Sequence, residues 1–287
     1  MTLLTLITEP WPDYALVDSG HGRKLERYGR FRFVRPEPQA MWAPAAADWS
    51  HDGEFVGASD EEGGGRWHLD RKVPSDWPLA WEGIRFHAAN TPFRHLQFFP
   101  DMAPQWAWMR ERVAEGDEVM NLFGYTGVGS LALAAKGAKV THVDASKKSV
   151  EQGKANAQLA GMTDRPIRWM IDDAQKFTAR EVRRERRYAG IMLDPPKFGR
   201  GPTGEVWRLE EGLPGLVADC VRLLDAESKF LVLTVYAVRM SAIAIAELLR
   251  QATAHLGGRI EAGEMAVREE ARGLLLPTAI FARWVAG

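Results

Sequence analysis

From about residue 117 onward, short apolar runs alternate with amphipathic segments, and this alternation limits the possible folds more than any other feature. The apolar runs are mostly continuous, which is typical of strands buried on both faces. Strands that alternate with helices favour right-handed crossovers and a doubly wound, largely parallel sheet, so we predict an α/β fold. The predicted strands are EVMNLF, AKVTHVD, PIRWMI, AGIMLD, KFLVLTV and TAIFARW, and the predicted helices are VGSLALAAKG, SKKSVEQGKANAQLAG, DAQKFTAREVRRER, LPGLVADCVRLL and RMSAIAIAELLRQATAHL.

The first 90 residues differ, because their apolar segments are short and alternating. We predict a small β-rich module over residues 1–90, which is a candidate for contact with the substrate, and a second domain over residues 91–287. Large aromatic side chains either form a base-stacking surface or fill the core of a small module, and we favour the core. Six of the 11 tryptophans fall in this module, namely Trp11, Trp42, Trp49, Trp67, Trp77 and Trp81.

Composition narrows the functional classes. No apolar run approaches the roughly 18 residues that span a bilayer, and the N-terminus lacks the basic region of a secretory signal, so we expect a cytoplasmic protein and no membrane contact. The histidines show no metal-ligand spacing, and no metal is expected. Charge is nearly balanced, with 37 Lys+Arg against 38 Asp+Glu, which argues against binding nucleic acid by bulk electrostatics alone. Residues 1–90 carry 10 basic and 14 acidic side chains, so a polyanion would bind the second domain.

A glycine loop, NLFGYTGVGSLALA, follows the first strand of the second domain and begins a helix. Its glycines are spaced three then two apart, the reverse of the nicotinamide dinucleotide fingerprint. Asp144 ends the next strand and Asp172 and Asp173 follow the third, and such strand ends meet at one edge of a parallel sheet. Asp144 would accept the hydroxyls of a ribose. Asp173 would bind an adenine amino group, cap the helix that follows, or do both.

The sequence LDPPKFG follows the fourth strand, at the same predicted edge. Two prolines fix the local backbone and remove N–H donors, so Asp194 and the carbonyl of Pro195 can accept hydrogen bonds from an amine. Phe198 can stack on a flat substrate. The alternative is that the two prolines simply end the strand. We expect residues 201–212 to form a flexible loop that can fold over the substrate.

Residues 90–205 contain five signals, the motifs LQFFPDMAPQW, NLFGYTGVGSLALA, THVDASKKSVEQGKANAQLAG, MIDDAQKF and LDPPKFGRG. These motifs resemble those of class I S-adenosylmethionine-dependent methyltransferases, more narrowly the bacterial 23S ribosomal RNA family that includes the cytosine carbon-5 enzymes. The resemblance implies a Rossmann-like, mostly parallel seven-stranded sheet, S-adenosylmethionine as cofactor, and ribosomal RNA as substrate. The cofactor contacts that the resemblance implies are Phe99, Pro100, Asp101, Phe123, Gly124, Thr126, Gly127, Asp144, Ala145, Ser146, Asp173 and Ala174. The residues that would orient the methyl acceptor are Asp194, Pro195, Pro196 and Phe198.

The chain departs from this family in its cysteine. Carbon-5 methylation needs a thiolate, which the cysteine enzymes carry after the fifth strand, where Tyr236 or a neighbour stands here. Cys220 lies on an apolar helix face, the usual setting of a buried, inert thiol. We therefore predict methylation of a base nitrogen. The alternatives are a methyltransferase of a small aromatic metabolite or a protein amide, and an RNA-binding assembly factor that keeps a cofactor pocket.

One dense basic run, between Arg180 and Arg187, is open to two interpretations. It could contact phosphates, or its arginines could pair with neighbouring glutamates on a solvated helix face. We favour the second.

Overall fold

The computed structural model describes residues 3–57, 65–69, 73–236 and 240–287. The strands are β1 Leu3–Thr8, β2 Tyr14–Gly20, β3 Arg23–Tyr28, β4 Phe31–Pro36, β5 Gly53–Gly57, β6 Gly65–Leu69, β7 Asp76–Trp81, β8 Ile84–Ala89, β9 Glu118–Leu122, β10 Lys139–Asp144, β11 Ile167–Ile171, β12 Gly190–Leu193, β13 Phe198–Arg200, β14 Val206–Arg208, β15 Phe230–Tyr236, β16 Arg259–Arg268 and β17 Leu275–Val285. The helices are α1 Ala103–Arg110, α2 Val128–Ala134, α3 Lys147–Leu159, α4 Ala174–Arg183, α5 Leu209–Arg222 and α6 Ala242–Ala252, with short 3₁₀ turns at Pro100–Met102 and Ala254–Leu256.

The larger of two compact units contains the described residues of segments 1–6, 105–265 and 278–287. Its sheet has the strand order β1-β16-β17-β15-β12-β9-β10-β11. Strands β11, β10, β9, β12 and β15 run parallel, and β17 pairs antiparallel with β15. The central strands are buried along their length, because helices cover both faces of such a sheet. Gly190 of β12 leaves room for the Phe230 ring, since a Cβ there would lie 2.3 Å from it.

The predicted strands and helices of the second domain are confirmed within the described residues, as is the Rossmann-like α/β fold. Arg239, at the start of the last predicted helix, lies outside the described residues. The sheet differs from the prediction at one edge, where β16 and the N-terminal strand β1 make it eight strands across. The close approach of β1 depends on Gly263, because a Cβ there would lie 1.8 Å from the carbonyl oxygen of Leu4. The sequence had placed β1 in the small module.

The smaller unit contains the described residues of segments 7–104 and 266–277. It has a five-stranded sheet of order β2-β3-β4-β5-β6 and a hairpin, β7-β8. The late segment is bonded to the early strands: Arg272 donates to the Ser19 carbonyl at 2.8 Å and to Asp18 at 3.2 Å. The backbone N–H of Glu270 donates to the carbonyl of Leu16 at 2.8 Å. The unit therefore consists of two distant parts of the chain, and its break at 104/105 differs from the boundary of 90/91 drawn from composition.

The tryptophans of the smaller unit belong to its packing, as expected. Trp77 and Trp81 are buried, and the other four are half-buried. The indole N–H groups of five of them donate to protein acceptors, for example Trp49 to Asp18 at 2.8 Å and Trp77 to the Tyr28 carbonyl at 3.2 Å. These rings do not form an exposed stacking surface.

Candidate cofactor and substrate site

Four strands end at the same edge of the large sheet. In the parallel register Leu122 of β9 pairs with both Val143 of β10 and Leu193 of β12, and Asp144 pairs with Ile171 of β11. Strands β10 and β11 lie on one side of β9 and strands β12 and β15 on the other. The sheet order therefore reverses beside β9, the position at which open α/β sheets bind ligands.

The glycine loop runs from β9 into α2, as predicted. A Cβ at Gly124 would lie 2.4 Å from the buried His142 ring, so this position has room only for glycine. Gly127 has φ of +79°, a left-handed conformation that glycine adopts at low cost. Below the loop, the buried side chain of Asn156 on α3 donates to the carbonyl of Thr126 at 2.9 Å. This hydrogen bond and the packing of the His142 ring against Gly124 therefore fix the conformation of the loop backbone.

Asp144 at the end of β10 is bonded to the loop and to the start of α3. One carboxylate oxygen accepts the backbone N–H of Tyr125 at 2.9 Å, and the other accepts that of Ser146 at 2.8 Å. Burial raises the pKa of Asp144, and these two hydrogen bonds only partly oppose the effect. A carboxylate has about four lone-pair positions, so further hydroxyl donors can still bind and offset the desolvation.

The end of β11 adds an acidic and an apolar group. Asp173 is buried and caps α4, accepting the backbone N–H of Lys176 at 2.9 Å, so its predicted capping role is confirmed. Ile171, which sequence reasoning missed, is 41% exposed beside Asp144. An exposed apolar side chain beside a carboxylate can pack against the flat face of a bound ring. Of the other predicted residues here, Ala174 is buried, Ala145 is half-buried and Ser146 caps α3.

The segment after β12 is held by a tryptophan. Pro195 is buried, Pro196 and Phe198 are exposed, and the Pro196 carbonyl accepts the indole N–H of Trp207 at 2.7 Å. The same buried indole lies 5.2 Å, between ring centroids, from Phe123 of the glycine loop. Trp207 therefore connects the proposed acceptor segment to the proposed cofactor loop.

The expectation of a loop over residues 201–212 is wrong for residues 206–212, whereas residues 201–205 form the turn of a hairpin. Strands β13 and β14 form an antiparallel hairpin, and α5 begins directly after it at Leu209. The buried Trp207 ring explains the order, because it packs over Gly212, where a Cβ would lie 2.6 Å from the ring. At the hairpin tip the Glu205 carboxylate accepts hydrogen bonds from the Lys176 ammonium and the Thr203 hydroxyl. These hydrogen bonds lower the pKa of Glu205 to about 2.

Three predicted cofactor residues lie in the smaller unit. Phe99 precedes the 3₁₀ turn, and its ring is 4.7 Å from that of His95 between centroids. Pro100 and Asp101 are buried in the turn, and the Asp101 carbonyl accepts the Thr8 hydroxyl at 3.2 Å. Their role toward a cofactor stays a prediction.

The remaining sequence interpretations concern thiols, arginines and metals. Cys220 is fully buried, and burial raises the pKa of its thiol, as expected for an inert cysteine. The basic run pairs with acids, with bonds from Arg180 to Asp172, from Arg184 to Glu181 and from Arg186 to Glu118. Among the residues that the structure describes, no cluster of metal-ligating side chains is found and no helix is long and apolar enough to cross a membrane. Residues 237–239, after Tyr236, lie outside the described part.

A doubly wound sheet with a glycine loop and acids at its switch point defines a Rossmann-like nucleoside-binding protein. The sequence model of the S-adenosylmethionine-dependent methyltransferases matches residues 62–244. The chain therefore belongs to this family, which confirms the resemblance seen in the motifs, and S-adenosylmethionine is its cofactor.

Individual relatives agree with this assignment. A crystal structure of the SAM-dependent methyltransferase from Agrobacterium tumefaciens has a TM-score of 0.96 and 41% identity, covering 100% of this chain and 95% of that one. SMU.776, crystallised with SAH, shares the fold with a TM-score of 0.72 and 16% identity over 96% of this chain and 76% of that one. The ribosomal RNA large subunit methyltransferase K/L of Vibrio cholerae is 36% identical over 118 residues, 40% of this chain and 16% of that protein. The chain spans less than a third of the first curated relatives that it matches.

Proposed function

We propose that this chain transfers a methyl group from S-adenosylmethionine to a nitrogen of a ribosomal RNA base. The RNA substrate is supported by the names of the curated relatives. The choice of a nitrogen depends on one observation, the burial of the single cysteine in α5. Because burial raises the pKa of the Cys220 thiol, the chain offers no thiolate to add to a pyrimidine ring. A nitrogen with a lone pair needs only to be oriented.

The residues at the sheet edge fit the cofactor. Asp144 would accept the ribose hydroxyls, Asp173 would bind the adenine amino group, and the backbone from Phe123 to Gly127 would hold the amino-acid tail. The bound cofactor supplies an electrophilic methyl group on sulfur. The remaining proposed contacts are Phe99, Pro100, Asp101, Ala145, Ser146 and Ala174, besides Gly124 and Thr126 within the loop.

The segment after β12 would orient the acceptor. Asp194 and the carbonyl of Pro195 would accept N–H groups of the target, directing the nitrogen lone pair toward the methyl carbon. Phe198, which is 49% exposed, would stack on the target base. Pro196 would act by position, because its carbonyl is engaged by Trp207.

Tritiated cofactor and RNA from a strain that lacks this protein test the proposal. Asp144→Ala should weaken cofactor binding by about 1 to 3 kcal/mol, because buried polar partners are left unsatisfied. Asp194→Asn should abolish transfer and leave cofactor affinity, measured by calorimetry, unchanged. Asp219→Asn, the same change on the surface of α5, is the control and should retain transfer.

The other outcomes identify the alternatives. Transfer only to small molecules or protein would replace RNA as the substrate, and cofactor binding without any transfer would indicate an assembly factor. Nucleoside mass spectrometry of the product would show the modified atom, and a carbon-5 product would contradict the choice of nitrogen. A ribosomal substrate also implies a cytoplasmic location. We propose this location for the chain, and we propose that its smaller unit contacts the RNA.

A further inference from the structure

The hairpin of residues 198–208, here called the ribbon, has two chemically different faces. Gly199 lies opposite Trp207 in the antiparallel register, and both belong to one face. Phe198 lies opposite Arg208 and Arg200 opposite Val206, and these four side chains belong to the other face, because side chains alternate along a strand.

The inner face is fixed to the larger unit. Trp207 is 3% exposed, donates to the Pro196 carbonyl and packs against Phe123. At the tip, the ion pair of Glu205 with Lys176 ties the ribbon to α4. With its inner face held in this way, the ribbon must present its other face to solvent.

The outer face is exposed, apolar in part, and basic. Phe198 is 49% and Val206 is 56% exposed, and both arginines are exposed. Arg208 approaches Glu211 at 3.9 Å, but in an exposed pair of this kind the attraction is weak and the guanidinium can exchange partners. All four outward positions thus carry either an apolar or a cationic side chain, and none carries an acid.

We propose that the outer face of the ribbon binds a single-stranded RNA segment that includes the target nucleotide, whose base stacks on Phe198. The identity of the ligand rests on the function proposed above. Single-strand binders combine aromatic rings that stack on bases with arginines that contact phosphates, and this face has both. Cross-strand neighbours lie about 5 Å apart, so a base stacked on Phe198 has its phosphate within reach of Arg208. Arg200, two residues along the same strand, reaches the next phosphate.

The proposed stacking of a base on Phe198 requires a single-stranded substrate. A phenyl ring can cover a base only when that base is unstacked from its neighbours, as in RNA loops and ends. Phe198 also ends the segment that would orient the methyl acceptor, so a strand lying on the ribbon leads directly to the site of transfer.

Fluorescence anisotropy with a labelled, mixed-sequence single-stranded RNA tests the proposal on the full chain. Arg200→Gln and Arg208→Gln should each weaken binding several-fold and reduce the slope of log affinity against log salt by about 0.7, the value for one lost phosphate contact on a single strand. Phe198→Ala should weaken binding by about 5- to 150-fold with the salt slope unchanged.

Arg222→Gln is the matched control, because Arg222 has the same charge, similar exposure and a comparable ion pair three residues away. It lies at the other end of α5 and should not change the slope. The proposal would be overturned if Arg222→Gln lost as much RNA affinity as the ribbon variants, or if Arg200→Gln and Arg208→Gln both kept the wild-type affinity. Failure of the wild type to bind this RNA would also overturn it.

The proposed function can fail separately. Cofactor affinity, measured on every variant, should stay at the wild-type value, which shows that the site is intact. Methyl transfer to RNA by the wild type with unchanged binding in the ribbon variants would reject the ribbon alone. RNA binding through Arg200 and Arg208 without methyl transfer would reject the proposed function alone.

Discussion

At the scale of single residues, the glycine loop is shaped by a histidine beneath it. The His142 ring is buried where a Cβ of residue 124 would lie, and its Nδ1 is 2.9 Å from the Ser130 hydroxyl. Ser130 in turn accepts the side-chain N–H of Asn121 at 2.9 Å. Sequence reasoning predicted the loop, but it could not predict the contact between Gly124 and His142, because the sequence does not show which residues 18 positions apart pack together.

This buried histidine makes stability depend on pH. Burial lowers the pKa of His142 to about 3, whereas an unfolded chain protonates its histidines below about 6.5. Between these values the unfolded state binds the extra proton, so acidification removes up to about 1.4 kcal/mol of stability per pH unit. In His142→Asn this contribution is absent. Urea unfolding should show that the free energy of unfolding of the wild type falls by about 2 kcal/mol more than that of the variant between pH 7 and pH 5. The same pH dependence of this free energy in both proteins would refute the assignment.

At the scale of secondary structure, continuous apolar runs identified the buried strands correctly because burial on both faces leaves little choice of residue. The same reasoning missed β16, where Glu261 interrupts the run, and the strand tolerates this acid because it pairs with Arg283. It also missed the β13–β14 hairpin. Strands of three residues with glycine, proline and threonine between them show no periodic pattern of hydrophobicity. The buried side chain of Trp207 stabilises the hairpin instead.

We expect Trp207 to position the acceptor segment. Trp207→Phe keeps a ring against Phe123 but removes the hydrogen bond to the Pro196 carbonyl, at a cost of about 0.5 to 1.5 kcal/mol. Methyl transfer should fall by roughly tenfold or more in kcat, while the affinity for S-adenosylmethionine stays unchanged.

The control for this prediction is Trp284→Phe. Trp284 is also buried in the larger unit and donates to a carbonyl, that of Gly257, at 2.7 Å. It pairs with Leu231 near the start of β15, away from the edge where the site lies. This variant should lose comparable stability in urea and retain kcat. If both variants lose kcat equally, Trp207 has only a structural role.

At the scale of the whole molecule, the sequence predicted two parts but not how the chain is shared between them. Composition changes near residue 90, yet the contacts place β1 in the large sheet and residues 266–277 in the smaller unit. Long-range pairing of this kind depends on which edges remain open after the rest has folded. A local pattern of hydrophobicity contains no such information.

The docking of β1 can be tested at Gly263. In Gly263→Ala the new Cβ would collide with the Leu4 backbone, so β1 should leave the sheet and the free energy of unfolding should fall by about 1 to 3 kcal/mol. Amide hydrogen exchange over residues 3–8 should accelerate. Gly215→Ala on α5, where a Cβ meets open space, should instead stabilise the chain by about 0.5 to 1 kcal/mol. Wild-type exchange in Gly263→Ala would show that β1 is accommodated without this glycine.

The bonds from Arg272 and Glu270 to the strand Tyr14–Gly20 also set an order of events during synthesis. Residues 266–277 must leave the ribosome before the unit that contains residues 7–104 is complete. Residues 7–104 therefore lack the last part of their unit while most strands of the large sheet are synthesised. Chaperones that protect unfinished chains would therefore bind residues 7–104 during this interval.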